Sequence, residues 1–154
     1  MGNGKQLWVI NRYVITYTDG VSNAVIFPDQ VYDIPLDGTH NTPAFVGTPS
    51  RVGYTFEGWS PDITHPVTQS VTYTAQWQAK TYTVYLNANG GEVSKDRMDV
   101  AYDSKLTGLP TPTRTGYTFA GWYDGDGKRY YATTTYKVDG DITLTLCGRP
   151  RPTP

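Results

Sequence analysis

The chain has 154 residues, a formal net charge of −1 and 18% charged residues. That is room for one domain of ordinary size or two small ones, with no basic excess to neutralise phosphates, which argues against a nucleic-acid partner. The lone cysteine, Cys147, excludes an intramolecular disulfide and a Cys-based zinc site. No stretch approaches the length of a membrane span, so no membrane insertion is expected. The opening Met-Gly-Asn-Gly-Lys-Gln-Leu-Trp lacks the apolar run of a signal peptide, so a secreted protein would carry its address elsewhere.

Aromatic residues make up 14% of the chain, dominated by 13 Tyr, with many Thr and Val, all strand formers. Sixteen Gly and 11 Pro supply frequent turns. Taken in chain order, the first strand is predicted at Tyr13-Val14-Ile15-Thr16-Tyr17, followed by a turn at Asp19-Gly20. Val31–Leu36 is a candidate for one short helical turn. A strand follows at Gly53-Tyr54-Thr55-Phe56-Glu57-Gly58-Trp59, and another at Val71-Thr72-Tyr73-Thr74-Ala75-Gln76-Trp77, whose large residues alternate with polar ones. The series then begins again. Tyr82-Thr83-Val84-Tyr85-Leu86 leads into Asn89-Gly90, Ser104–Leu109 offers a second possible helical turn, and Gly116-Tyr117-Thr118-Phe119-Ala120-Gly121-Trp122 repeats the earlier motif. Asp139-Gly140 then precedes Ile142-Thr143-Leu144-Thr145-Leu146.

Two copies of one unit account for this order. Residues 48–59 and 111–122 are identical at nine of twelve positions. A repeat of roughly 65–70 residues is a whole small domain per copy, longer than most solenoid units. We expect a first module over residues 9–78 and a second over 80–148. Residues 149–154 are expected to form a Pro-rich disordered tail. The short link Gln78-Ala79-Lys80 should restrict the angle between modules. In the shared motif, Gly53 and Gly116 permit a bend before the strand. Tyr54 and Phe56 share one face, as do Tyr117 and Phe119. Trp59 and Trp122 fall on the opposite parity unless a bulge at Gly58 and Gly121 re-aims them.

The order Tyr-x-Val-x-Leu-x-Ala-Asn-Gly-Gly (82–91), then Leu-Pro-Thr-Pro-Thr-Arg-Thr-Gly-Tyr-Thr-Phe-Ala-Gly-Trp-Tyr (109–123), resembles the Listeria–Bacteroides repeat, also called the internalin B-repeat. The first module resembles it more distantly, and together the matches cover most of residues 13–146. The resemblance implies a mostly β fold, α+β at the margin: two tandem β-grasp-like (ubiquitin-like) modules. Each would have a mixed sheet of about four strands with its first strand beside its last, and little helix. It also implies a non-catalytic stretch of a large bacterial surface or secreted protein, often anchored to the cell wall. Such a stretch would act as a stalk or spacer whose partners are neighbouring repeats. The alternative is an adhesive module that recognises a host protein or glycan. The family pattern ends in an aromatic, as Trp77 does, whereas the second module reads Leu146-Cys147-Gly148. A cut end, a shifted reading frame and a natural Pro-rich linker all fit that ending. Without the aromatic, the second module is expected to be the less stable and to fray first at residues 142–148, unless Tyr131 or Tyr136 covers the gap.

Catalytic constellations are not visible, and neither enzyme activity nor a cofactor is expected. Asp124-Gly125-Asp126-Gly127 opens like a calcium loop, but Lys128 and Thr135 stand where further oxygen ligands belong, which favours a plain turn. His40 and His65 lie in separate loop-like stretches without ligand partners at metal spacing, so no metal site is expected. The best lead for ligand binding is the aromatic group Tyr123, Tyr130, Tyr131 and Tyr136, with Arg129 among them. Exposed tyrosines stack on sugar rings or anchor protein partners, although strand packing together with ordinary surface tyrosines is the favoured explanation.

Overall fold

A computed structural model describes residues 10–35, 49–63 and 69–153. Nine strands are described and no helix. They are β1 (Ile10–Thr18), β2 (Val25–Pro35), β3 (Tyr54–Ser60), β4 (Val71–Ala79), β5 (Thr81–Asn87), β6 (Arg97–Ala101), β7 (Tyr117–Tyr123), β8 (Arg129–Tyr130) and β9 (Ile142–Pro150). Two sheets result, ordered β2-β1-β4-β3 and β6-β5-β9-β7-β8. The chain divides into two compact units. Among the described residues, one holds those before Val52 together with those of 55–78, and the other holds Val52–Tyr54 and those from Ala79 onward.

Each sheet places its first strand beside its last, as expected. Strands β1 and β4 run parallel, with Ile15 opposite Val71 and Tyr17 opposite Tyr73. Strands β5 and β9 repeat this arrangement, with Val84 opposite Ile142 and Leu86 opposite Leu144. The pairs β1–β2, β5–β6, β7–β8 and β7–β9 are antiparallel. This mixed pattern follows from the sequence. A hairpin turn joins β1 to β2, whereas parallel neighbours need a long crossover between them.

Alternation decides which face is buried. Ile15, Tyr17 and Tyr73 form the centre of the first core, with Phe27, Trp59 and Val71 packed against it. In the second unit Val84, Leu86, Leu144 and Leu146 face inward beside Val100, Leu106, Trp122, Tyr130 and Tyr136.

Three expectations need correction. Val31–Pro35 is strand, not a helical turn, because it pairs residue by residue with Ile10–Val14 of β1; Leu36 lies outside the described residues. Ser104–Leu109 holds turns and one isolated bridge from Lys105 to Thr135, without helix. Strand β9 does not stop at Gly148. Arg149 and Pro150 pair with Thr118 and Tyr117, and Arg151 N donates to Gly116 O at 2.8 Å, so a backbone ladder orders the start of the supposed tail.

Candidate functional site

The repeated Gly-Tyr-Thr-Phe-x-Gly-Trp motif builds the centre of each unit. In β7 the pairing register slips between Phe119 and Gly121, where φ reaches +152°, a bulge that only glycine accepts readily. The extra residue turns Trp122 inward, although its parity is opposite to that of Phe119. Trp122 is 2% exposed and its indole N–H donates to Pro110 O at 2.9 Å. Phe119 meets it edge-on at 6.0 Å. Gly58 has φ +136° at the matching place in β3, where Trp59 packs edge-on against Tyr17 at 5.0 Å and Phe56 at 5.2 Å. Gly53 and Gly116 make the expected bends at φ +76° and +79°.

The tyrosine group divides between core and surface. Tyr130, on β8 opposite Trp122, is 4% exposed, and its hydroxyl donates to Asp124 Oδ2 at 3.0 Å. Burial, and then that carboxylate, push the phenol up to about 12. Tyr136 is 0% exposed and donates to Gly140 O at 2.5 Å; burial, with the Asp141 charge second, pushes it up to about 12 as well. Neither ring is available to a ligand, which corrects the expectation for these two residues. Tyr123 is half-buried on β7. Tyr131 alone of the group is well exposed, at 51%, with the Arg129 guanidinium 4.6 Å from its ring centroid. Strand packing wins for Tyr130 and Tyr136 because a phenol can bury its ring while its hydroxyl finds an acceptor.

The Asp124 loop is a turn closed on itself. Asp124 Oδ1 accepts from the backbone N–H groups of Asp126 at 3.0 Å and Lys128 at 2.9 Å. The Lys128 bond, first among its contacts, holds the carboxyl below the usual carboxylate range. Asp19 performs the same task in the first unit. It accepts from Val21 N, Ser22 N and Ser22 Oγ, and is lowered to about 2 by these bonds, that of Val21 first. Among the described residues no three His, Cys, Asp or Glu side chains gather into a metal-sized group. His40 and His65 lie outside the described residues.

The ends of the two closing strands differ. Trp77 on β4 stacks edge-on against Phe56 at 5.6 Å, and its indole N–H donates to Asp19 O at 2.7 Å. In the second unit Gly148 is the register partner of Phe119, and a groove of about 680 Å³ opens there, lined in part by Phe119, Leu146, Gly148 and Arg114. Neither Tyr131 nor Tyr136 lines it; Arg114 does, its guanidinium 3.9 Å over the Tyr117 ring and Nη1 donating to Asn89 O at 3.1 Å. Sequence reasoning missed Arg114 because its position in the repeat gives no sign of a stacking partner.

A twice-used mixed sheet, each copy carrying the same Gly-Trp strand with a positive-φ glycine before the indole, defines a tandem repeat protein. The chain belongs to the Listeria-Bacteroides repeat domain family, which matches residues 13–80 and 82–145. This is a repeat family of bacterial surface proteins such as internalins. The chain is similar to a protein of Evansella cellulosilytica described as a membrane protein, with 26% identity over 77% of the chain and 18% of that relative. A second protein of that organism, described as a Gly-rich membrane protein, is 26% identical over 89% of the chain and 16% of the relative. Internalin H of Listeria monocytogenes is 32% identical over 62% of the chain and 19% of its own length. The chain thus spans less than a fifth of each of these relatives.

Proposed function

We propose that these two modules are a non-catalytic spacer in a larger protein at the bacterial surface or membrane, separating its functional parts. The observation that carries this reading is the repetition: one residue, Lys80, separates β4 of the first sheet from β5 of the second. A unit repeated with so little intervening chain extends a polypeptide by whole modules. The strand order β2-β1-β4-β3, with its central parallel pair, supports the β-grasp reading of each module. Names of the relatives support a surface or membrane-associated location, and attachment to the cell wall is part of the same proposal. Small-angle scattering of chains with one, two and four modules tests it. Maximum dimension should grow in near-equal steps with module number, and a dimension that stays level would refute the spacer.

Adhesion is the second reading, favoured by the exposed Tyr131 under Arg129. A glycan array with a host-protein pull-down decides between them. Binding lost on Tyr131→Ala, with the fold intact, would favour adhesion.

A further inference from the structure

The registers of the two parallel pairs make Trp77 and Gly148 equivalent. Val71 lies opposite Ile15 and Ile142 opposite Val84, and each closing residue comes six positions later. By the same repeat Phe56 corresponds to Phe119. In the first module the indole of Trp77 covers Phe56 and is held by a hydrogen bond to the chain. In the second, Phe119 is half-buried and faces the groove beside Leu146, with nothing on Gly148 to cover it. We propose that this groove is a binding site for an indole ring, the tryptophan side chain of another polypeptide, taking the seat that Trp77 fills from within in the first module.

Three features fit that ligand. Phe119 offers the ring that Phe56 offers to Trp77, at the same place on its strand, and edge-to-face pairs gain beyond their buried area. The Arg114 guanidinium, already stacked over Tyr117, lines the same groove and adds a cation for the face of an aromatic. Gly90 and Gly91 form part of the lining without side chains of their own, and the Arg114 guanidinium lies against Gly90, which places its cation at the groove wall. Gly148 itself is not required by its conformation. A Cβ built on it would meet Thr118 O at 3.5 Å and Tyr117 Cβ at 3.6 Å, ordinary contacts. A side chain at 148 is therefore compatible with the strand and fills the groove from within.

This inference goes beyond the spacer reading and does not depend on it. The test titrates the full chain with N-acetyl-tryptophanamide, followed by amide chemical shifts. Saturable shifts confined to residues 90–91, 113–119 and 146–148, with a Kd on the order of 1 mM, are expected for so small a probe. Gly148→Trp should weaken binding at least tenfold, and Arg114→Ala several-fold. If Gly148→Trp does not fold, Gly148→Leu serves as the blocking variant. Equal binding of N-acetyl-leucinamide, binding that survives the block, or no shift at 10 mM probe would each overturn the proposal.

Discussion

Replacing Trp122 with Ala should strongly destabilise the second module while leaving the first folded. The indole is 2% exposed, packed on Phe119, and hydrogen-bonded to Pro110 O. Truncating a buried Trp costs about 3–5 kcal/mol, and the lost hydrogen bond adds about 1 kcal/mol. A module of this size, at roughly 0.05–0.15 kcal/mol per residue, is stable by only about 3–10 kcal/mol. The substitution therefore removes a large part of the module's stability and lowers its melting temperature by at least roughly 16 °C. Hydrogen exchange resolved along the chain reads both units at once. Protection should collapse at 84–86, 117–123 and 142–146 and persist at 15–17 and 71–75. A melting shift under about 4 °C, which corresponds to less than about 1 kcal/mol, would refute the burial argument. Simultaneous loss in both units would refute their independence.

Trp77→Ala should cost less than Trp122→Ala, about 2–3 kcal/mol, because Trp77 is half-buried; denaturant unfolding of the two variants checks the order. Gly20→Ala should destabilise the first module by more than about 1 kcal/mol, since φ is +68° and a Cβ would lie 2.1 Å from Ala75 O; an unchanged denaturation midpoint would disprove this. In alkali the second module should lose stability between pH 10 and 12. Tyr130 and Tyr136 are held up at about 12 in the fold against 10 for a free phenol. Their contribution is fully present below 10 and is lost as pH rises through 12. Tyrosinate absorbance should show these phenols ionising late, together with unfolding and with Tyr82, which its hydrogen bond to Asp139 also raises to about 12, and the trend should shrink in Tyr130→Phe with Tyr136→Phe. Hydrogen exchange also tests the order of fraying: equal protection at 142–146 and 71–75 would show that the missing aromatic at 148 does not weaken the second module.

Strand positions were legible where alternation was strong, as in Val71–Trp77 and Tyr82–Leu86, and the repeat gave the organisation. The bulge at Gly121 was also readable, because only a register slip lets a Phe and a Trp of opposite parity share a core. Burial of Tyr130 and Tyr136 was not legible. Tyrosine serves core and surface alike, and the deciding acceptors, Asp124 and Gly140, sit six and four residues away in loops. The extension of β9 through Pro150 was missed because Gly, Arg and Pro resist strand assignment. Pairing with Tyr117–Phe119 outweighs those local preferences.

The central parallel pairs have a mechanical consequence. Each module begins and ends on adjacent strands that run in the same direction, β1 beside β4 and β5 beside β9. Tension applied between the ends of a module pulls these neighbours past each other along their length. The load falls on the ladder in shear, so several hydrogen bonds must rupture together instead of opening one at a time from an end.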